Sequence, residues 1–304
     1  MLHELPLVIF TIAAQMSAGS FIVLGLIHLV GAKVPQATMD KVTDPALYAV
    51  GPLLILGMAA STVHLGSPLR AANSLLHLGG SWLSAEIFAG SAFAALGAAY
   101  ALLQWKKIGP HVLRQVLAVV TAAVGAFLVF AISQVYSLRT VPAWATYFTP
   151  MRFFITALLL GGLAVGAALV IAAQRREAKG VETPEAAALV AHTVRAITLG
   201  GLFALGAKFI GQPAYIGYLG THPSRAAQES LDLLVNTYGV YSAAQNILIF
   251  AGIAALGFLL FRMAGGTAGK RLLPAVAIVA FVLVLAGEVV GRMLFYASMV
   301  RIGV

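Results

Sequence analysis

Long apolar runs alternate along the chain with short clusters of polar, glycine and proline residues. A helix needs about 20 mostly apolar residues to cross the hydrocarbon of a bilayer. On that rule the runs predict spans over approximately 6–31, 43–64, 82–104, 112–137, 150–174, 190–210, 243–262 and 272–298. Backbone N–H and C=O groups have no water to bond in hydrocarbon, so segments of this length and polarity must be helical. The pattern therefore predicts an all-α fold, a polytopic membrane bundle of about eight transmembrane helices. No fixed-period repeat divides it, and residues 1–304 read as a single integral membrane domain.

Composition agrees. The chain is 61% hydrophobic and only 10% charged, whereas a soluble domain is about 45–50% apolar. It contains no cysteine, which excludes disulfides, thiolate metal sites and iron–sulfur clusters ligated by this chain. A net charge of +9 could suggest nucleic acid. The basic residues are instead scattered through short loops between apolar runs, which fits membrane topology and no nucleic-acid partner. Connections after the odd-numbered spans carry Lys33, Lys41, Lys106, Lys107, Arg114, Arg175, Arg176, Lys179, Arg262, Lys270 and Arg271. The other side has mainly Arg70, Arg139, Arg152, Arg225 and Arg301. The positive-inside rule then places both termini outside the cytoplasm. MLHELP at the start has an acid and no Lys or Arg before its apolar run, so it reads as the beginning of a retained first helix.

Between spans, Thr183-Pro184-Glu185 has the order of an N-cap, a first-turn proline and a first-turn acid. The stretch from about 211 to 241 reads as the longest loop, and within it Ser224 to Val235 has the spacing of an interfacial helix.

Candidate chemistry lies where ionisable residues enter the apolar runs, because such residues are costly in a membrane. His64 closes the second span before Gly66, Ser67, Pro68 and Arg70, and Glu86 lies one turn into the third. Each alone fits a residue at a helix end or interface. Together, at one depth and on one side, they form a candidate proton-accepting site, since histidine titrates near neutral pH and a carboxylate can orient it or pass its proton on. Glu288 and Arg292 lie four apart on the last span, within pairing reach; a buried ion pair that fixes helix register is the competing reading. Gly287 and Gly291 beside them would let a neighbouring helix approach closely. Tyr136 ends the fourth span, Arg152 begins the fifth, and Gln15 sits in the middle of the first, where its amide must find a partner. No two of the seven histidines sit mid-helix as axial ligands would, so no haem and no metal site is expected.

With these residues in view, the chain resembles the DmsC-type family of membrane anchors of dimethyl-sulfoxide (DMSO) reductase, within a wider set of molybdoenzyme anchors. The resemblance is carried by AQMSAGSFIVL around Gln15, HLGSPLRAANSL from His64, SAEIFAGS around Glu86, VYSLRTVPAW around Tyr136 and AGEVVGRMLFY around Glu288. It implies a bacterial inner-membrane subunit, in which the charge distribution above puts both termini in the periplasm. It also implies an iron–sulfur electron-transfer partner and a molybdopterin catalytic partner, which carry those cofactors. Menaquinone or ubiquinone would be bound as substrate, without haem. By the same resemblance His64 takes a proton from quinol and Glu86 supports or relays it. Gly66, Ser67, Pro68, Arg70, Gln15, Tyr136, Arg152, Glu288 and Arg292 would line the quinone pocket. Two alternatives remain: the anchor of a sulfite dehydrogenase, which runs electrons into quinone, and a proton-coupled secondary transporter. The transporter would ordinarily show internal repeats and broken helices.

Overall fold

A computed structural model describes the backbone of residues 5–64, 80–264 and 272–303. Its elements are α1 (Leu5–Val30), α2 (Gln36–His64), α3 (Trp82–Lys106), α4 (His111–Tyr136), α5 (Phe148–Ala178), α6 (Pro184–Thr221), the short α7 (Arg225–Asp232), a π turn (Leu233–Thr237), α8 (Gly239–Ala264) and α9 (Leu273–Ala297). Seven of these are long and apolar enough to cross a membrane. The remaining long helix, α2, opens with Asp40, Lys41 and Asp44 before its apolar stretch.

Local chemistry sets the ends. Ser81 caps α3 by accepting a hydrogen bond from the Leu83 amide, and Lys107 closes that helix in the left-handed conformation, φ 54°. Thr183 caps α6 by accepting from the Ala186 amide, with Pro184 and Glu185 in the first turn, as the sequence order implies. The other end of α6 departs from expectation. It does not stop near 210 but continues for 38 residues through Pro213 to Thr221. A proline removes only one intrahelical bond, and packing against α5 and α8 keeps α6 helical through it. The anticipated loop is thus the end of α6, then α7, the π turn and the start of α8.

α1 and α5 form the centre of the bundle. α1 packs on α2, α4 and α5, whereas α5 also carries α6 and α9; α8 closes the second side against α6 and α9. The α1–α5 crossing is closer than side chains allow. A Cβ on Gly19 would overlap the Ala157 carbonyl, and one on Gly161 would overlap the backbone of Gly19 and Ser20. The outward faces stay apolar, with Phe203 80% and Ile210 75% exposed, as lipid contact requires.

Two sets of polar contacts lie toward opposite ends of the bundle. Where α1 ends and α2 begins, Gln104 donates to Asp40 and Asp44 at 2.7 Å each. Arg114 donates to Gln104 at 3.0 Å, Lys107 pairs with Asp44 at 2.6 Å, and His28 meets the Tyr100 hydroxyl at 2.8 Å. These bonds tie α1, α2, α3 and α4 together at that end. At the opposite end the last residues of the chain meet the α4–α5 connection, where the Ile302 amide donates to the Thr140 carbonyl.

A buried polar cluster at the Tyr136 end

α9 brings Glu288 and Arg292 to one face, both buried, but they do not form the ion pair their spacing suggests. Each reaches a different helix. The Glu288 carboxylate accepts from the Lys208 ammonium of α6 at 2.5 Å and from the Thr156 hydroxyl of α5 at 2.7 Å. Arg292 donates to the Gln15 amide oxygen of α1 at 2.8 Å, and its guanidinium lies 3.8 Å from the Phe153 ring centroid. The partition has a physical cause. A planar guanidinium can be held by an amide oxygen and an aromatic face, whereas a compact ammonium needs an anion when buried, and Lys208 arrives at the depth of Glu288. Gly287 and Gly291 do admit a neighbour, namely α8: a Cβ on Gly291 would overlap the Gln245 amide.

Above this layer lies an aromatic one. The Tyr296 hydroxyl meets that of Tyr136 at 3.1 Å and that of Thr11 at 3.4 Å. Trp144, from the α4–α5 connection, stacks on Phe295 at 4.8 Å and donates its indole N–H to the Phe295 carbonyl at 2.9 Å. Tyr215 and Tyr218 donate to the carbonyls of Ala143 and Pro142, pinning that connection to α6. Arg152 bonds the Gln212 amide oxygen at 3.1 Å and covers the Tyr215 ring at 3.9 Å. Glu86 is half-buried on α3, near enough for its charge to act on both Tyr136 and Tyr296. Between α5, α6, α8 and α9 a polar cavity of about 30 Å³ remains, bounded among others by Arg152, Lys208, Glu288 and Arg292.

The structure thus gathers Gln15, Tyr136, Arg152, Glu288 and Arg292 at one end of the bundle, with Glu86 beside them. α2 ends at His64, whose side chain lies outside the described residues, as do Gly66, Ser67, Pro68 and Arg70. Sequence reasoning misses Lys208, Thr156, Gln212, Gln245 and Tyr296. Lys208 does carry a detectable signal: a lysine inside LFALGAKFIG is as expensive in a membrane as Glu288 or Arg292. Gln212-Pro213 masks that signal by suggesting that the helix is already ending.

Comparison with known proteins decides the family. The sequence pattern of the DMSO reductase anchor subunit family (DmsC) matches residues 1–298. This chain belongs to that family. It is 34% identical over 303 residues to the C subunit of the anaerobic DMSO reductase of Escherichia coli, covering 99% of this chain and 96% of the relative. The Haemophilus influenzae subunit of the same name is 31% identical over 297 residues, covering 97% of this chain and 94% of the relative. As a DmsC-family anchor, the chain spans the membrane several times.

Proposed function

We propose that this subunit holds the quinol site of a DMSO reductase-type molybdoenzyme, at the end of the bundle where α2 stops at His64 and where the Glu86 charge reaches Tyr136 and Tyr296. The observation that carries this reading is the convergence of Gln15, Glu86, Tyr136, Arg152, Glu288 and Arg292 at that one end. Isolated charges in a membrane interior would be destabilising without a role.

In this reading menaquinol or ubiquinol places a hydroxyl beside His64. The imidazole takes the proton and Glu86 supports it or carries it onward. Quinol gives up two protons and two electrons in all. The electrons pass to an iron–sulfur subunit and from it to a molybdopterin subunit, while the protons leave by the side chains of this chain. Family membership supports the anchor role, and the titratable pair supports the quinol chemistry.

His64→Ala and Glu86→Gln test the site directly. Both variants are expected to co-purify with the partner subunits and to lose quinol-coupled turnover by about a hundredfold or more, the scale of general acid–base catalysis. Wild-type quinol kinetics in an assembled complex of either variant would remove the proposal.

Orientation follows from charge. Lys41, Lys106, Lys107, Arg114, Arg175 and Arg176 crowd the His28 end, which the positive-inside rule assigns to the cytoplasm. The Tyr136 end and both termini then face the periplasm of a bacterial inner membrane. Fused to the C-terminus, alkaline phosphatase is expected to be active and a fluorescent protein that folds only in the cytoplasm dark. The reverse result inverts the assignment.

A further inference from the structure

The polar cavity between α5, α6, α8 and α9 has an unusual charge balance. Three cations, Arg152, Lys208 and Arg292, border it, and Glu288 is the one carboxylate among its lining residues. That carboxylate is already engaged on both oxygens, by Lys208 and by Thr156. The guanidiniums have neutral companions: an amide oxygen and an aromatic ring for Arg152, and the same two kinds of group for Arg292. Among the described residues no carboxylate pairs with either. Each guanidinium carries five N–H donors, more than these contacts use, and both residues line the cavity. Burying surplus positive charge in a bundle surrounded by lipid is costly unless an anion completes it. Gln245 adds an amide, held against Gly291 so closely that any side chain there would displace it.

We propose that this cavity is an anion pocket that receives one small negatively charged group, the oxygen of a deprotonated quinol or hydroxyquinone. The assignment rests on the quinol reading above. A volume of about 30 Å³ admits a single oxygen or a halide-sized ion and excludes an aromatic ring, so the ring stays outside and only its charged oxygen enters. When quinol has lost its first proton, the negative charge left on its oxygen is stabilised by Arg152 and Arg292 until the electrons depart. Lys208 acts as a positioning residue: it takes the direct ion pair with Glu288, so the carboxylate bonds neither guanidinium. The same donor set would also accept a free halide, and the experiment separates the two sources.

The purified complex, with its partner subunits, is titrated with 2-hydroxy-1,4-naphthoquinone, which is anionic at neutral pH, and with neutral 1,4-naphthoquinone, in wild type, Arg152→Gln and Arg152→Lys. Arg152→Gln is expected to weaken binding of the anionic quinone by about tenfold, on the scale of one nearby charge, and that of the neutral quinone by less than about twofold. Arg152→Lys is expected to retain most of the preference. In a second arm, bromide replaces gluconate at constant ionic strength and the thermal midpoint is followed. A bromide-dependent rise in wild type that Arg152→Gln lacks, without discrimination between the quinones, identifies a free anion as the occupant. Equal losses for both quinones, or no loss for either, combined with no bromide effect, overturn the pocket. Failure of the neutral quinone to bind wild type at all would count against the quinol site itself, and the bromide arm still tests the pocket.

Discussion

Glu288→Leu is expected to lower stability by about 3–5 kcal/mol, the usual cost of stripping one partner from a buried ion pair. The reason lies in what stays behind. Lys208 would be left without its anion in a site where it is only 7% exposed and where Glu288 had paired with it at 2.5 Å, with Arg152 and Arg292 nearby adding like charge. Thr156 would lose its acceptor as well. The double variant Glu288→Leu, Lys208→Met is expected to recover most of the loss, because two apolar side chains of similar volume remove the desolvation cost together with the pair. Thermal unfolding of the detergent-solubilised complex, read alongside the amount assembled in membranes, measures both. Equal midpoints for single and double variants would mean that the orphaned lysine is not the source of the loss.

Gly161→Leu is expected to prevent α1 and α5 from docking, and the folded subunit should fail to accumulate. The obstruction is backbone, not a movable side-chain tip: the first added carbon would already overlap the main chain of Gly19 and Ser20. Overpacking a core that can adjust costs about 1–3 kcal/mol; here the two helices would have to separate. Separation would also undo the polar cluster, since Gln15 comes from α1 while Phe153 and Thr156 come from α5. Gly206→Ala is the control. A Cβ there meets nothing within 4 Å, and alanine is the better helix former by about 0.5–1 kcal/mol, so its thermal midpoint is expected to hold or rise. Wild-type accumulation of Gly161→Leu would show that the crossing is looser than its geometry.

The two variants probe different kinds of information. The Gly19–Gly161 contact is invisible along the chain, because glycines are common in membrane helices and nothing in the sequence says which one faces which. The choice of partner for Glu288 is equally hidden. Four-residue spacing puts Arg292 within reach on the same helix face, yet buried charges settle on whichever group the packed neighbours bring to the right depth. Here that is Lys208, delivered by a helix that continues past the point where Gln212-Pro213 suggests its end. Orientation of Tyr296 toward Tyr136, and of Trp144 onto Phe295, likewise depends on how α9 meets the α4–α5 connection.

By itself, the sequence determined the properties that depend on local chemistry and on solvent. Apolar run length dictates which segments span a bilayer, Thr183-Pro184-Glu185 dictates where α6 begins, the distribution of Lys and Arg dictates a preferred orientation, and the cost of burying Gln15, Glu86, Glu288 and Arg292 marks them as residues needing partners. Only the tertiary structure decided what those partners are, where α1 and α5 touch, and that three cations surround a single carboxylate at one cavity. Such contacts join residues far apart in the chain, and their energies depend on distances of a few ångströms that no one-dimensional pattern encodes.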